Sequence, residues 1–179
     1  RIPPTEPADA LASFEVKPGF RMEIIAAEPL VKDPIAIAFD EDGRAYVVEM
    51  CGYSEERDDN ISEIALLEDT DGDGKYDKRS VFLSGLQWPT AVACYDGGIF
   101  IGMPPDILYC KDTNGDGVAD IRETVYTGFN WNNVQGMMNT FLWGPDGRIH
   151  ASASSTGADA KLANDPNAPV LSLRGRDFA

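Results

Sequence analysis

Oxygen-bearing side chains at the first, third, fifth and ninth positions of one short loop, with glycine at the sixth, make a ligand set for a hard divalent cation. The sequence contains this arrangement twice. Asp69-Thr-Asp71-Gly-Asp73-Gly-Lys75-Tyr-Asp77 returns forty-three positions later as Asp112-Thr-Asn114-Gly-Asp116-Gly-Val118-Ala-Asp120. Lys75 and Val118, at the seventh position, count in the set through their backbone oxygens. The second copy adds Glu123 at the twelfth position and so completes the D-x-[DN]-x-[DN]-G-x5-E calcium pattern. The first copy has Ser80 there and must close its shell with Asp77, backbone oxygens or water. Calcium, which accepts about six to eight oxygens in irregular geometry, is the expected ion.

Asp and Gly favour tight turns even without a metal, so the pattern alone decides little. Charge decides more. Two carboxylates about 5 Å apart, at an effective dielectric of about 20, repel by about 3 kcal/mol. The first loop gathers Asp69, Asp71, Asp73 and Asp77 with only Lys75 and Lys78 beside them in sequence. A bound cation removes that repulsion.

The elements that must hold these loops read as strands. Pro34-Ile-Ala-Ile-Ala-Phe-Asp-Glu-Asp42-Gly43-Arg-Ala-Tyr-Val-Val-Glu49 reads as a hairpin, two apolar runs joined by an Asp-Gly turn. A strand at Glu63–Leu67 runs into the first acidic loop and one at Ser80–Leu83 leaves it. The order repeats with Thr90–Cys94, Ile99–Gly102, Ile107–Cys110, the second acidic loop and Glu123–Thr127. A third round opens with Asn139–Trp143 and Arg148–Ala153, then loosens before a short strand at Val170–Leu173. Upstream, Phe20–Ala27 alternates apolar and polar residues as a half-buried strand does. Residues 1–18 carry four prolines and a short helix-compatible piece, and read as an N-terminal arm.

Four short strands recurring roughly every 40 to 55 residues, with a metal loop at a fixed place, are the signature of β-propeller blades. The turn glycines Gly43, Gly97 and Gly147 keep the same rhythm. A β-sandwich is the alternative, but it does not explain a loop returning at the same place. The expected fold is all-β, with an incomplete propeller over 19–179 and blades at about 19–86, 87–129 and 130–179. That is about two and a half four-stranded blades, so a fragment of a larger ring is expected. Both acidic loops then join strands and act as blade staples, without the helix pair of a calcium sensor.

With 179 residues, 43% of them hydrophobic, the chain has material for a substantial core. A net charge of -15 argues against nucleic acid, whose phosphates need clustered Lys and Arg. No apolar run is long enough to span a membrane. Cys51, Cys94 and Cys110 form no C-x-x-C motif and are expected to be small buried residues. With only one His, the sequence has neither a haem c attachment motif nor a Cys/His zinc site.

Leu11-Ala-Ser-Phe-Glu-Val-Lys-Pro-Gly-Phe-Arg21, Ala26-Ala-Glu-Pro-Leu30, Asp33 to Arg44, Tyr46-Val-Val-Glu-Met50, Leu67 to Asp77 and Trp143-Gly-Pro-Asp-Gly147 come in an ordered combination. In it the chain resembles the N-terminal part of the membrane-bound dehydrogenase domain abundant in planctomycetes. That family is similar to the six-bladed propellers of glucose and sorbosone dehydrogenases that use pyrroloquinoline quinone (PQQ). The resemblance implies oxidation of a sugar or related alcohol with calcium and PQQ as cofactors, and an exported, periplasmic or cell-surface protein. It also implies a c-type haem domain elsewhere in the polypeptide as electron acceptor. The quinone would carry the redox chemistry and the propeller would orient it.

The family's general-base His would fall near Gln135–Met138, where no His stands. Gln and Met cannot accept a proton near neutral pH. His150 lies beyond the turn and reads as a strand residue. Gln87 with Trp88, and Asn133, Gln135 and Asn139, precede or open first strands and are the candidates for cofactor contact; capping of loops is their other reading. Glu49, at a strand end, is expected to pair with Arg44 or Arg57. The alternative function is a non-catalytic, calcium-binding propeller that recognises carbohydrate or protein.

Overall fold

The computed structural model describes residues 3–179, so Arg1 and Ile2 of the expected arm lie outside the described residues. The arm contains one α-helical turn, Pro7–Ala10, continued by a 3-10 turn at Leu11–Ser13. The rest is all-β. The strands are β1 Pro34–Phe39, β2 Ala45–Glu49, β3 Ser62–Glu68 and β4 Lys78–Leu86. Then come β5 Ala91–Tyr95, β6 Gly98–Met103, β7 Asp106–Lys111 and β8 Ile121–Phe129. The last are β9 Asn139–Trp143, β10 Ile149–Ser152, β11 Ala158–Leu162, β12 Leu171–Ser172 and β13 Asp177–Phe178.

They form three antiparallel sheets, none closed on itself. The first is a meander, β1-β2-β3-β4; the second repeats it as β5-β6-β7-β8 and is extended by β11 and β12; the third is β9-β10-β13. The first hairpin turns where Asp40 accepts from the backbone N–H groups of Asp42 and Arg44 at 3.0 and 2.9 Å, and its carboxylate also takes the Arg44 Nε at 2.7 Å.

Alternation along the strands sends side chains to both faces, and both faces of the first sheet are apolar. Tyr46, Val48, Ile64, Leu66, Phe82 and Leu86 pack against Val92, Ile99, Ile101, Leu108 and Cys110 of the second sheet. Tyr46 meets Phe82 edge-to-face, with centroids 5.0 Å apart. The opposite face, Ala45, Val47, Ala65 and Leu67, packs against Ala26, Val31 and Tyr76. The second sheet is likewise two-faced, since Ile107 and Phe129 pack against Met138, Ala153 and Leu173. The first strands β1, β5 and β9 lie side by side in that order. Trp143 at the end of β9 donates its Nε1–H to the Cys94 carbonyl of β5 at 3.3 Å.

Two sequence expectations need correcting. Phe20–Ala27 forms no strand among the described residues: it has no ladder partner there, and Phe20 and Met22 are exposed. The third round is not one sheet, because β11 leaves it and pairs with β8, carrying β12 with it. Gly128, at φ +102°, permits this, since a Cβ there would stand 2.1 Å from the Asp159 carbonyl oxygen. The sequence hid β11 because Ala-Asp-Ala-Lys-Leu alternates correctly but lacks the β-branched and aromatic residues that mark strands.

Candidate metal loops and strand entrances

The two acidic loops, 69–77 and 112–120, close the same hairpins, β3–β4 and β7–β8, in successive sheets. Most of their internal hydrogen bonds recur at the same positions, and the second loop adds one from Asn114 N to Asp112 at 3.1 Å. Asp69 accepts from Gly72 N and Gly74 N at 2.7 and 2.9 Å, and Asp112 from Gly115 N and Gly117 N at 2.7 and 2.8 Å. Lys75 N donates to Asp73 and Val118 N to Asp116, at 2.8 and 2.9 Å. Thr70 donates its backbone N–H and its hydroxyl to Asp77, and Thr113 does the same to Asp120. Asp77 N and Asp120 N return to the Glu68 and Lys111 carbonyls, so the ninth residue clasps the loop to its own strand.

In the first loop Asp69, Asp71 and Asp73 each offer a carboxylate oxygen, all within 4.8 Å of one another and all exposed. A carboxylate oxygen has two lone pairs. One N–H therefore leaves capacity for a cation on each. The second loop has Asp112, Asn114 and Asp116 at the matching positions, with an amide oxygen in the third. The donor set is all-oxygen and anionic, which fits calcium better than a soft metal. Lys75 and Val118 sit at the seventh place, where a carbonyl would complete the shell. Glu123 lies in β8 opposite Tyr109, on a strand where a calcium sensor has its second helix.

The loops are already tuned for negative charge. The Gly74 N–H, with those of Gly72 and Asp73, holds the Asp69 carboxyl below the ordinary aspartate value. Burial pushes Asp112 the other way, but the N–H groups of Gly117, Gly115 and Asn114 outweigh it and hold it low as well.

The strand entrances hold less. The Asn133 side chain accepts from Gln135 N at 3.2 Å, capping the 3-10 turn Val134–Gly136. Asn139 donates to the Met137 carbonyl at 3.1 Å and accepts from Thr140 at 3.0 Å. Gln87, Asn133, Gln135 and Asn139 do not line the grooves beside Ile25 and Val47, Gly128 and Trp131, or Met50 and Tyr53. Trp88 is different: it is buried against Met50 and Met137, and its indole Nε1 has no hydrogen-bond partner. Trp88 and Thr140 also hold left-handed φ angles of 44° and 62°, a conformation that costs a side-chain-bearing residue energy.

Glu49 was misread from sequence. It is fully buried, accepts from Lys32 N and from Arg79 Nη2, each at 2.8 Å, and shares Arg79 with Glu63. Burial raises its pKa, a push only partly offset by the Lys32 N–H and Arg79. Arg44 instead pairs with Asp40, and Arg57 stacks on Trp131 at 3.9 Å while donating to the Pro104 carbonyl. A partner thirty positions away leaves no local signal. His150 is exposed and pairs with Asp146 across the turn at 2.9 Å. All three cysteines are free; Cys110 is buried, which pushes its thiol up to about 11, and Cys51 and Cys94 are half-buried. Among the described residues no helix is long and apolar enough to cross a membrane.

An all-β chain with one acidic loop set into successive antiparallel sheets is a repeat-built scaffold with two candidate calcium sites. Residues 6–179 match the family described as Domain of unknown function (DUF7133), and the chain belongs to that family. No curated protein matches it.

Proposed function

We propose that the chain is a calcium-stapled segment of a β-propeller, and that its three sheets are successive blades of the ring. The observation that carries this reading is the return of the acidic loop, with its two glycine N–H bonds to the first aspartate, at one place in two consecutive sheets. The side-by-side order of β1, β5 and β9 supports it, because first strands ring the central channel of a propeller. Asp69, Asp71 and Asp73 would hold one ion, and Asp112, Asn114 and Asp116 the other. Each ion neutralises a cluster that otherwise repels itself and fixes the outer hairpin of its blade.

The scaffold serves, in this proposal, an exported quinoprotein-like sugar or alcohol dehydrogenase. PQQ and a partner haem domain would supply the redox chemistry. His150 is engaged by Asp146, and Asn133 and Asn139 hold local backbone groups. The second reading, a non-catalytic calcium-bound propeller that recognises carbohydrate or protein, draws on the same facts. The unpartnered Trp88 Nε1 supports a ligand at the strand entrances under either reading, since an acceptor there would recover a desolvation cost of about 1–3 kcal/mol.

Dye reduction by the intact polypeptide, loaded with PQQ and calcium and offered a panel of sugars and alcohols, separates the two. Substrate-dependent reduction is the result expected of the dehydrogenase. No reduction together with no quinone binding leaves the binding propeller.

A further inference from the structure

We propose that Phe20–Ala27 is the fourth strand of a further sheet that packs on the open face of β1–β4. The proposal rests on the propeller reading. Its ground is a contact made twice. Ala119, eighth in the second loop, donates its N–H to the Phe82 carbonyl of β4 at 2.9 Å and packs at the edge of the core between the first two sheets. Tyr76, eighth in the first loop, donates its N–H to the Ile25 carbonyl at 2.8 Å and packs into the cluster on the opposite face. Ile25 therefore stands to the first loop as Phe82, in the fourth strand of a sheet, stands to the second.

The two places differ in what surrounds them. Phe82 is fully buried, whereas Ile25 is 41% exposed and lines an apolar groove of about 340 Å³ with Ile35, Ile37, Val47 and Leu67. A Cβ on Gly117 would meet Ser80, two residues before Phe82, at 3.1 Å; the matching Gly74 has nothing within 4 Å. The strand's near side is in place and its far side is open. That accounts for the alternating pattern of 20–27 without a ladder: the segment carries a strand's sequence and lacks the strand it pairs with.

The occupant is a three-stranded antiparallel sheet of this repeat, carried by the same polypeptide, whose third strand pairs with 20–27 and whose apolar face covers Ile35 and Ile37. A second copy fits poorly. Its first two sheets already hold their fourth strands, β4 and β8.

Hydrogen exchange of the intact, calcium-loaded polypeptide, read by mass spectrometry, tests the assignment alongside alkylation of an Ile37→Cys variant. Expected are amides of 21–27 exchanging roughly a hundredfold more slowly than those of the arm, an unreactive thiol and a monomer. Fast exchange of 21–27 with an unreactive thiol overturns the strand assignment and leaves the propeller standing. A freely alkylated thiol overturns both. Protection that appears only in a concentration-dependent dimer overturns the choice of occupant in favour of a second copy.

Discussion

The ninth residue of each loop works through its partner at the second. Asp77 and Asp120 each receive a threonine N–H and hydroxyl. Thr70→Val or Thr113→Val removes one charge-assisted bond and should lower stability by about 1 kcal/mol, read by urea unfolding. Asp69 and Asp112 give the pH dependence. Their folded values are depressed, so their contribution is present above the ordinary aspartate value and is lost as pH falls through the lower folded value. Without calcium, the midpoint of urea unfolding should drop on acidification below about pH 4. An Asp69→Asn, Asp112→Asn double variant should flatten that drop. The loops were legible because every interaction they make inside themselves spans at most seven positions. Glu49 was not, because its meaning depends on Arg79, brought beside it only by the pairing of β2, β3 and β4.

At the scale of elements, hairpins with Asp-Gly turns and β-branched runs were read from sequence nearly to their ends. β1 and β2 fall within the expected hairpin, and β9 has the expected bounds. The errors are strands whose identity depends on a neighbour. β11 forms because Gly128 lets it approach β8, and 20–27 fails to form because nothing pairs with it. Gly128→Ala should therefore break the β8–β11 pairing: the new methyl group meets the Asp159 carbonyl, and φ +102° strains any side chain. The expected outcome is a stability loss above about 1 kcal/mol, with faster exchange at 158–162 and unchanged protection at 34–49. Equal loosening of both regions would contradict the assignment of β11 as a separately attached edge.

Over the whole molecule, two sheets built alike pack face to face, and each carries its acidic loop at the same outer hairpin. This regularity made the all-β class and the repeat legible. What covers the far face of β1–β4 was not legible, because an apolar face records that it is buried and not by what. The central claim is that both loops hold calcium and that the ions stabilise the fold. A site filled to ten times its dissociation constant adds about 1.4 kcal/mol. Calorimetric titration of the chelator-treated protein with calcium, paired with melting curves, tests this most directly. The account predicts two calcium ions per chain, a higher melting temperature with calcium than with equal magnesium, and loss of one ion on Asp71→Asn, Asp73→Asn substitution. A melting curve that neither chelator nor calcium moves, with no heat of binding, would contradict it.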